Sequence, residues 1–365
     1  MKKSIIFLGF AFFATTLFSC EKEETITPLV IPTAYDATSF TANATAEYEL
    51  RTNFTALINE VKKGRVGGTV LSATKLTELF NAGSNSVSKY ASATVKSTMP
   101  TLFAELEKAS KGKTYQFGKT PAENIDGGAN GGYLFDETGL ELEQIVEKGS
   151  FNSIFYNKAV ELVATPTAAN LDKVLALYGA NPTFPNTPTA SKTAQPDTWM
   201  ANYGARRTKA AGGLYTQQRD AFIKAQAAIK AGDKYNTDRD AAIAEILLKW
   251  EQINAATVIN YLYDTETKLA STNPTDAVKA SAMHAYGEAT GFLTGFKGIT
   301  KKKITDAQID NALVKMNSTA PYKIVGSPTE IAKLVQVRKD LQAVYGFTDT
   351  QMEEFKNNYI NVEAR

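Results

Sequence analysis

A helical period that returns almost everywhere after residue 46 is what most constrains this chain. From Asp238 to Ala270, the residues Ile243, Ile246, Leu247, Trp250, Ile253, Val258, Tyr261 and Leu262 recur every three or four positions. That spacing lines one face of an α-helix and would scatter over both faces of a strand. Glu47 to Lys63 repeats it with Tyr48, Leu50, Phe54, Leu57, Ile58 and Val61, and Gly64 with Gly67-Gly68 ends it. The same reading predicts helices over 73–82, 86–111, 139–163 and 206–231, the last stopped by Gly232. Further helices are expected over 273–296, opened by Asn273-Pro274-Thr275-Asp276, and over 305–316, 328–345 and 348–362. Alternating strand patterns bounded by turns are nearly absent. The expectation is an all-α fold, a helical bundle occupying residues 46–365. Two loops interrupt it: glycine-rich Gly112–Tyr133, and Gly179–Thr198 with Pro182, Pro185, Pro188 and Pro196. Irregular loops of that length are often functional, and plain surface crossovers fit as well.

The N-terminus reads as an address. Lys2 and Lys3 precede an apolar run from Ile5 to Leu17. The run is shorter than the roughly 20 residues a membrane-crossing helix needs, so it fits a signal peptide over residues 1–19. Leu17-Phe18-Ser19-Cys20 resembles the lipobox of bacterial lipoproteins. The resemblance implies a diacylglycerol group on the Cys20 thiol and an acylated new N-terminus. Three acyl chains exceed the two needed for stable anchoring. A secreted protein with a spare thiol, or a single-pass anchor, are the competing readings. Glu21-Lys22-Glu23-Glu24 is similar to an export signal for the outer surface of some Gram-negative bacteria, and a solvated charged leader is the plain alternative. Residues 20–45, with Pro28 and Pro32 and no periodicity, read as the lipidated start and a flexible tether. The expected location is thus the outer membrane, lipid-anchored and cell-surface exposed.

Charge and rare residues remove several functions. Beyond residue 19 the chain holds 38 basic and 38 acidic residues, a formal charge of zero. Nucleic-acid binding relies on clustered Lys and Arg, so no nucleic-acid partner is expected. One Cys and one His exclude disulfide scaffolds and most zinc and iron–sulfur sites. No nucleophile elbow lies near the lone histidine, and no Walker or Rossmann pattern accompanies the glycines at 127–132.

Four blocks carry a resemblance. Gly132 to Gly149 (GYLFDETGLELEQIVEKG) is rich in polar residues for a segment that also reads as core. Tyr35, Phe40 and Arg51 precede it; Trp250-Glu251 with Ala255, Ala256, Tyr261 and Leu262 follows, and then His284-Ala285-Tyr286-Gly287-Glu288-Ala289-Thr290-Gly291-Phe292. In this order, behind a lipobox, they resemble the bacterial lipoproteins catalogued as domain-of-unknown-function family 4856, over the chain from about Tyr35 onward. A departure occurs in the stretch Ala169 to Gly179: Ala169 and Lys173 stand where that family has a histidine and a glutamate. The family is more distantly similar to imelysin-like lipoproteins, which are linked to iron uptake. That likeness implies two packed bundles, with possible halves at about 46–180 and 197–365. The imelysin spacing of His and Glu is three, whereas His284 and Glu288 are four apart.

Four apart on a helix places His284 and Glu288 on one face, about 5–6 Å between Cβ atoms. Gly287 and Gly291 flank Glu288, leaving room for a close helix or a ligand. With Glu143 and Glu147, also four apart, the pair makes a candidate site for iron or another divalent metal, better matched to iron or manganese than to zinc. A buried hydrogen-bonded pair is the alternative. Trp250 and Glu251 complete the candidate ligand-binding set, with a core aromatic and a paired carboxylate as the plain reading. The Arg206-Arg207-Lys209 cluster fits a solvated face or an anion contact. Three functions are compatible with these features. The first is a surface-tethered binding component, for iron or an iron-bearing ligand, beside an outer-membrane transporter. The second is a structural or adhesion lipoprotein without a small ligand. The third is an enzyme using His284 and Glu288.

Overall fold

A computed structural model describes residues 27–184, 197–209 and 212–359. The signal peptide, Cys20, the Glu21–Glu24 leader and most of the proline-rich loop lie outside the described residues. The fold is an all-α helical bundle. In chain order its helices are α1 (Phe40–Asn43), α2 (Thr45–Lys62), α3 (Ala73–Phe80), α4 (Val87–Tyr90), α5 (Ala93–Ser110), α6 (Leu142–Ser150), α7 (Asn157–Val163) and α8 (Ala168–Tyr178). The chain continues with α9 (Trp199–Arg206), α10 (Leu214–Ala231), α11 (Asn236–Leu269), α12 (Asp276–Thr294), α13 (Asp306–Lys315), α14 (Pro328–Tyr345) and α15 (Asp349–Glu354).

The long α11 is the axis, with α10, α12 and α14 along its sides and α6 against the other side of α12. Every residue of α11 from Ile253 to Leu262 is buried, and so is every residue of α12 from Ala282 to Leu293. A helix buried all round must satisfy its polar side chains internally. In α11, Asn254 accepts from Asn152, Thr257 bonds back to the Ile253 carbonyl, and Asn260 donates to the Phe355 carbonyl. One apolar core runs from Tyr35 to Phe355, so the two expected halves share it.

Most predicted helices stand, and the differences have local causes. Ser92 breaks the 86–111 stretch by capping α5 through the Val95 amide. The 206–231 stretch divides as well: α9 ends at Arg206, and α10 starts only after Gly212 (φ +72°) and Gly213. The last helix stops at Glu354. Residues 139–163 run as α6, a π-helical segment Phe151–Tyr156, and α7. That wider turn aims Asn152 at α11 and α12, and Tyr156 at Glu251. Helix α8 ends on Gly179 at φ +96°, where a Cβ would fall 2.3 Å from the Thr198 carbonyl oxygen.

Two departures matter more. The chain docks earlier than residue 45: Tyr35 and Phe40 are buried, and the Tyr35 hydroxyl donates to Asp172 at 2.6 Å. The glycine-rich loop holds a hairpin, β1 (Gly128–Asn130) against β2 (Tyr133–Phe135), closed by Gly131 and Gly132, both at positive φ. Two such residues make the primed turn that matches strand twist.

Candidate functional site: a buried ionic cluster between α6 and α12

Small residues bring α6 and α12 backbone to backbone. A Cβ on Gly291 would sit 2.3 Å from the Gln144 carbonyl oxygen, and one on Gly295 would sit 2.4 Å from that of Gly149. The close approach presses the polar residues of both helices together. His284 and Glu288 come from α12, Gln144, Glu147 and Lys148 from α6, and Glu141 from the residue that caps α6. The hairpin abuts α12 at Ala280 and sets Tyr133 flat on the imidazole, with ring centroids 4.2 Å apart.

His284 lies between two carboxylates. Its Nδ1 is 2.6 Å from Glu141 Oε2, and its Nε2 is 3.6 Å from Glu288 Oε2. Arg65, in the turn that ends α2, forks onto Glu143 at 2.7 and 2.6 Å and reaches Glu141 at 3.7 Å. Lys148 bridges Glu147 at 3.0 Å and Glu288 at 3.4 Å, while Lys62 holds Glu147 from outside at 3.2 Å. Gln144 donates to both Glu141 and Glu143. Four carboxylates therefore meet three fixed cations and one imidazole. Glu141, Glu143, Glu288 and Lys148 are all under 4% exposed. Charges this deep persist only when paired, because desolvation costs several kcal/mol per ion.

The carboxylates differ in their balance. Burial, with Glu141 beside it, pushes Glu143 up to about 7 against the pull of Arg65. Burial also works to raise Glu147, but Lys148 and Lys62 outweigh it and hold that carboxyl down at about 2.

His284, Glu288, Glu143 and Glu147 are thus brought into one cluster, in a different arrangement from a shared metal shell. The carboxylates nearest His284 sit on opposite ring nitrogens, and Glu143 and Glu147 face Arg65, Lys62 and Lys148. Among the described residues, no group of three or more His, Cys, Asp or Glu is placed to hold a metal ion. Trp250 and Glu251 serve elsewhere. Trp250 is wholly buried in the core. Glu251 accepts from the hydroxyls of Tyr156 and Tyr345, both at 3.1 Å, and from the amides of Lys303 and Ile304. The basic cluster splits, since Arg207 is buried and bonded to Asn260 and Asn358. Cys20 lies outside the described residues.

The sequence reading missed Glu141, Arg65, Lys148 and Tyr133. Glu141 lies inside the expected 139–163 helix but in fact caps α6, off the Glu143–Glu147 spacing that marks the candidate site, and Arg65 arrives from 78 residues away. Lys148, next to Glu147 in the sequence, passes as a surface residue by composition. Tyr133 had a partial signal: the Gly131-Gly132 pair ahead of Tyr133-Leu134-Phe135 is a hairpin-turn sequence. The chain matches no protein-family model, no curated protein and no solved structure.

Proposed function

We propose that this chain is a lipid-tethered binding component of the outer membrane, displayed at the cell surface beside a transporter, and that it takes an iron-bearing complex and not a bare ion. The lipobox-like Leu17–Cys20 segment and the ordered likeness to family 4856, with its imelysin-like two-bundle architecture, support the tether and the binding role. Among the described residues no helix is long and apolar enough to cross a membrane. The observation that carries the choice of ligand is the wedging of His284 between Glu141 and Glu288. A bare divalent ion at Nε2 would gain Glu288 as its second ligand while competing with Lys148 for it.

Thermal melting of the chain with ferrous, manganous and zinc ions, and separately with ferric citrate, tests the reading. The free ions are expected to leave the melting temperature unchanged and the ferric chelate to raise it. A rise of several degrees with free iron that disappears in His284→Ala would instead establish a metal centre at the cluster. The structural-lipoprotein reading draws on the same seam, because His284 and Glu141 tie α12 to α6. It predicts that no iron species shifts the melt, while His284→Ala lowers it.

A further inference from the structure

Away from the ionic cluster, two cavities of about 790 and 760 Å³ open beside the C-terminal half of α11, and Glu266 and Ala270 line both. They adjoin at these two residues as two unlike arms. The first arm is walled by Phe117, Leu269, Val325, Ile331 and Val335. The second is walled by Asn260, Asp264, Lys268, Arg338, Lys356 and Asn358. At the partition Arg338, 5% exposed, is paired with Glu266 and lies over the Tyr263 ring, 3.8 Å from its centroid. Lys356 stands over the same ring at 4.8 Å, with Glu353 as its outer partner.

The polar arm has a charge in reserve behind it. Arg207 is 3% exposed and makes no ion pair among the described residues; its guanidinium donates to Asn260 Oδ1, the Asn357 carbonyl and Asn358 Oδ1. Glu288 acts on it only at a distance, and a buried guanidinium with no carboxylate in contact is costly and raises the local potential for anions. With its oxygen held by Arg207, Asn358 keeps its NH₂ group as the remaining donor.

We propose that this cleft binds an amphipathic anion, an aliphatic chain in the Phe117–Ile331 arm with its carboxylate or phosphate received by Arg338, Lys356 and Asn358. The ligand's acidic group takes the place of Glu266 on Arg338 and brings a negative charge to the side of Arg207 that Asn260 and Asn358 face. This site and its ligand go beyond the iron-bearing complex proposed above and stand apart from it.

The test is isothermal titration of the full chain carrying Cys20→Ser with dodecanoate, dodecanol and acetate. Dodecanoate is expected to bind and acetate not to. Two exposed positions probe the arms without touching the core: Ala332→Trp fills the apolar arm, and Lys356→Glu reverses charge at the polar rim. Each should weaken dodecanoate at least tenfold, while dodecanol should respond to Ala332→Trp alone. Lysophosphatidylglycerol, with an acyl chain under a phosphate, separates sources: tighter binding of it or of dodecanoate supports the cleft and says whether a lipid or a free acid fills it. Absence of heat with both anions, or equal affinities in the parent and both variants, overturns the proposal. Loss of dodecanoate binding with ferric citrate still stabilising the chain would remove the cleft alone.

Discussion

Two buried carboxylate sites in this molecule answer the same problem with different chemistry. Around His284, four acids are held by Arg65, Lys62 and Lys148, so each charge depends on another charge. Around Glu251, one acid is held by two phenols and two backbone amides, all neutral. A site built from neutral donors is insensitive to the loss of any distant charge. In a cluster built from ions, one deletion leaves a partner buried and bare. The difference explains their placement: Glu251 ties the loop before α13 and the end of α14 to α11, a purely mechanical task, while the cluster fills the seam between α6 and α12.

Removing Lys148 should break that comparison most visibly. Lys148→Met leaves Glu288 without the cation 3.4 Å away and Glu147 with Lys62 alone. A loss of about 3–5 kcal/mol is expected at neutral pH, the usual cost of stranding a buried charge. The loss should shrink in acid, where protonation relieves the stranded carboxylates. Glu251→Ala should cost about 4 kcal/mol by orphaning its hydroxyl and amide donors, with little relief in acid. Urea unfolding of both variants at pH 5 and pH 7.5 measures this, and equal acid relief in the two would erase the distinction.

Packing at the seam supplies the next test. Gly291→Ala places a methyl group 2.3 Å from the Gln144 carbonyl oxygen, a backbone atom that cannot step aside. Overpacking of this kind costs about 1–3 kcal/mol. Gly287→Ala meets only side-chain carbons at 3.3 Å and beyond, so it should cost less. A melting curve for Gly291→Ala that overlays the parent would mean that α6 and α12 are not in backbone contact.

The same contrast shows what a sequence can reveal. Helix α11 is legible because Ile243, Ile246, Leu247 and Trp250 recur at the spacing of one buried face, and α12 because Asn273-Pro274-Thr275-Asp276 marks its start; where both are buried all round, the apolar period fades. The pairing of His284 with Glu288 was legible too, since both stand on one helix. Arg65 was not, because it joins Glu143 through folding topology, and no local pattern encodes a partner 78 residues distant. The reading of Glu143 and Glu147 as ligands placed them on the right face but left out the cations opposite them. The start of α9 is hidden because Pro196 stands just before Trp199, whereas Leu171, Val174, Leu175 and Tyr178 give α8 a helical period that the expected set of helices leaves out.

The smallest effect is also the sharpest in sign. Glu143 is raised by burial and by Glu141 from an ordinary value near 4.5 to about 7, so the folded state holds a proton that the unfolded chain has released. Stability from that proton is fully present below about pH 4.5 and declines as pH climbs through 7. Glu147 works in the opposite direction: held down at about 2, it stabilises the fold above its ordinary value and ceases to do so as pH falls toward 2. Glu143→Gln, which keeps the shape and removes the titration, should therefore flatten the neutral limb of the stability profile and leave the acid limb intact. The parent should lose more stability than the variant between pH 4.5 and 7.5, and urea unfolding of the two across that range measures it. Parallel profiles across that range would mean that Arg65 compensates Glu143 fully, and that the two sides of the cluster are balanced alike.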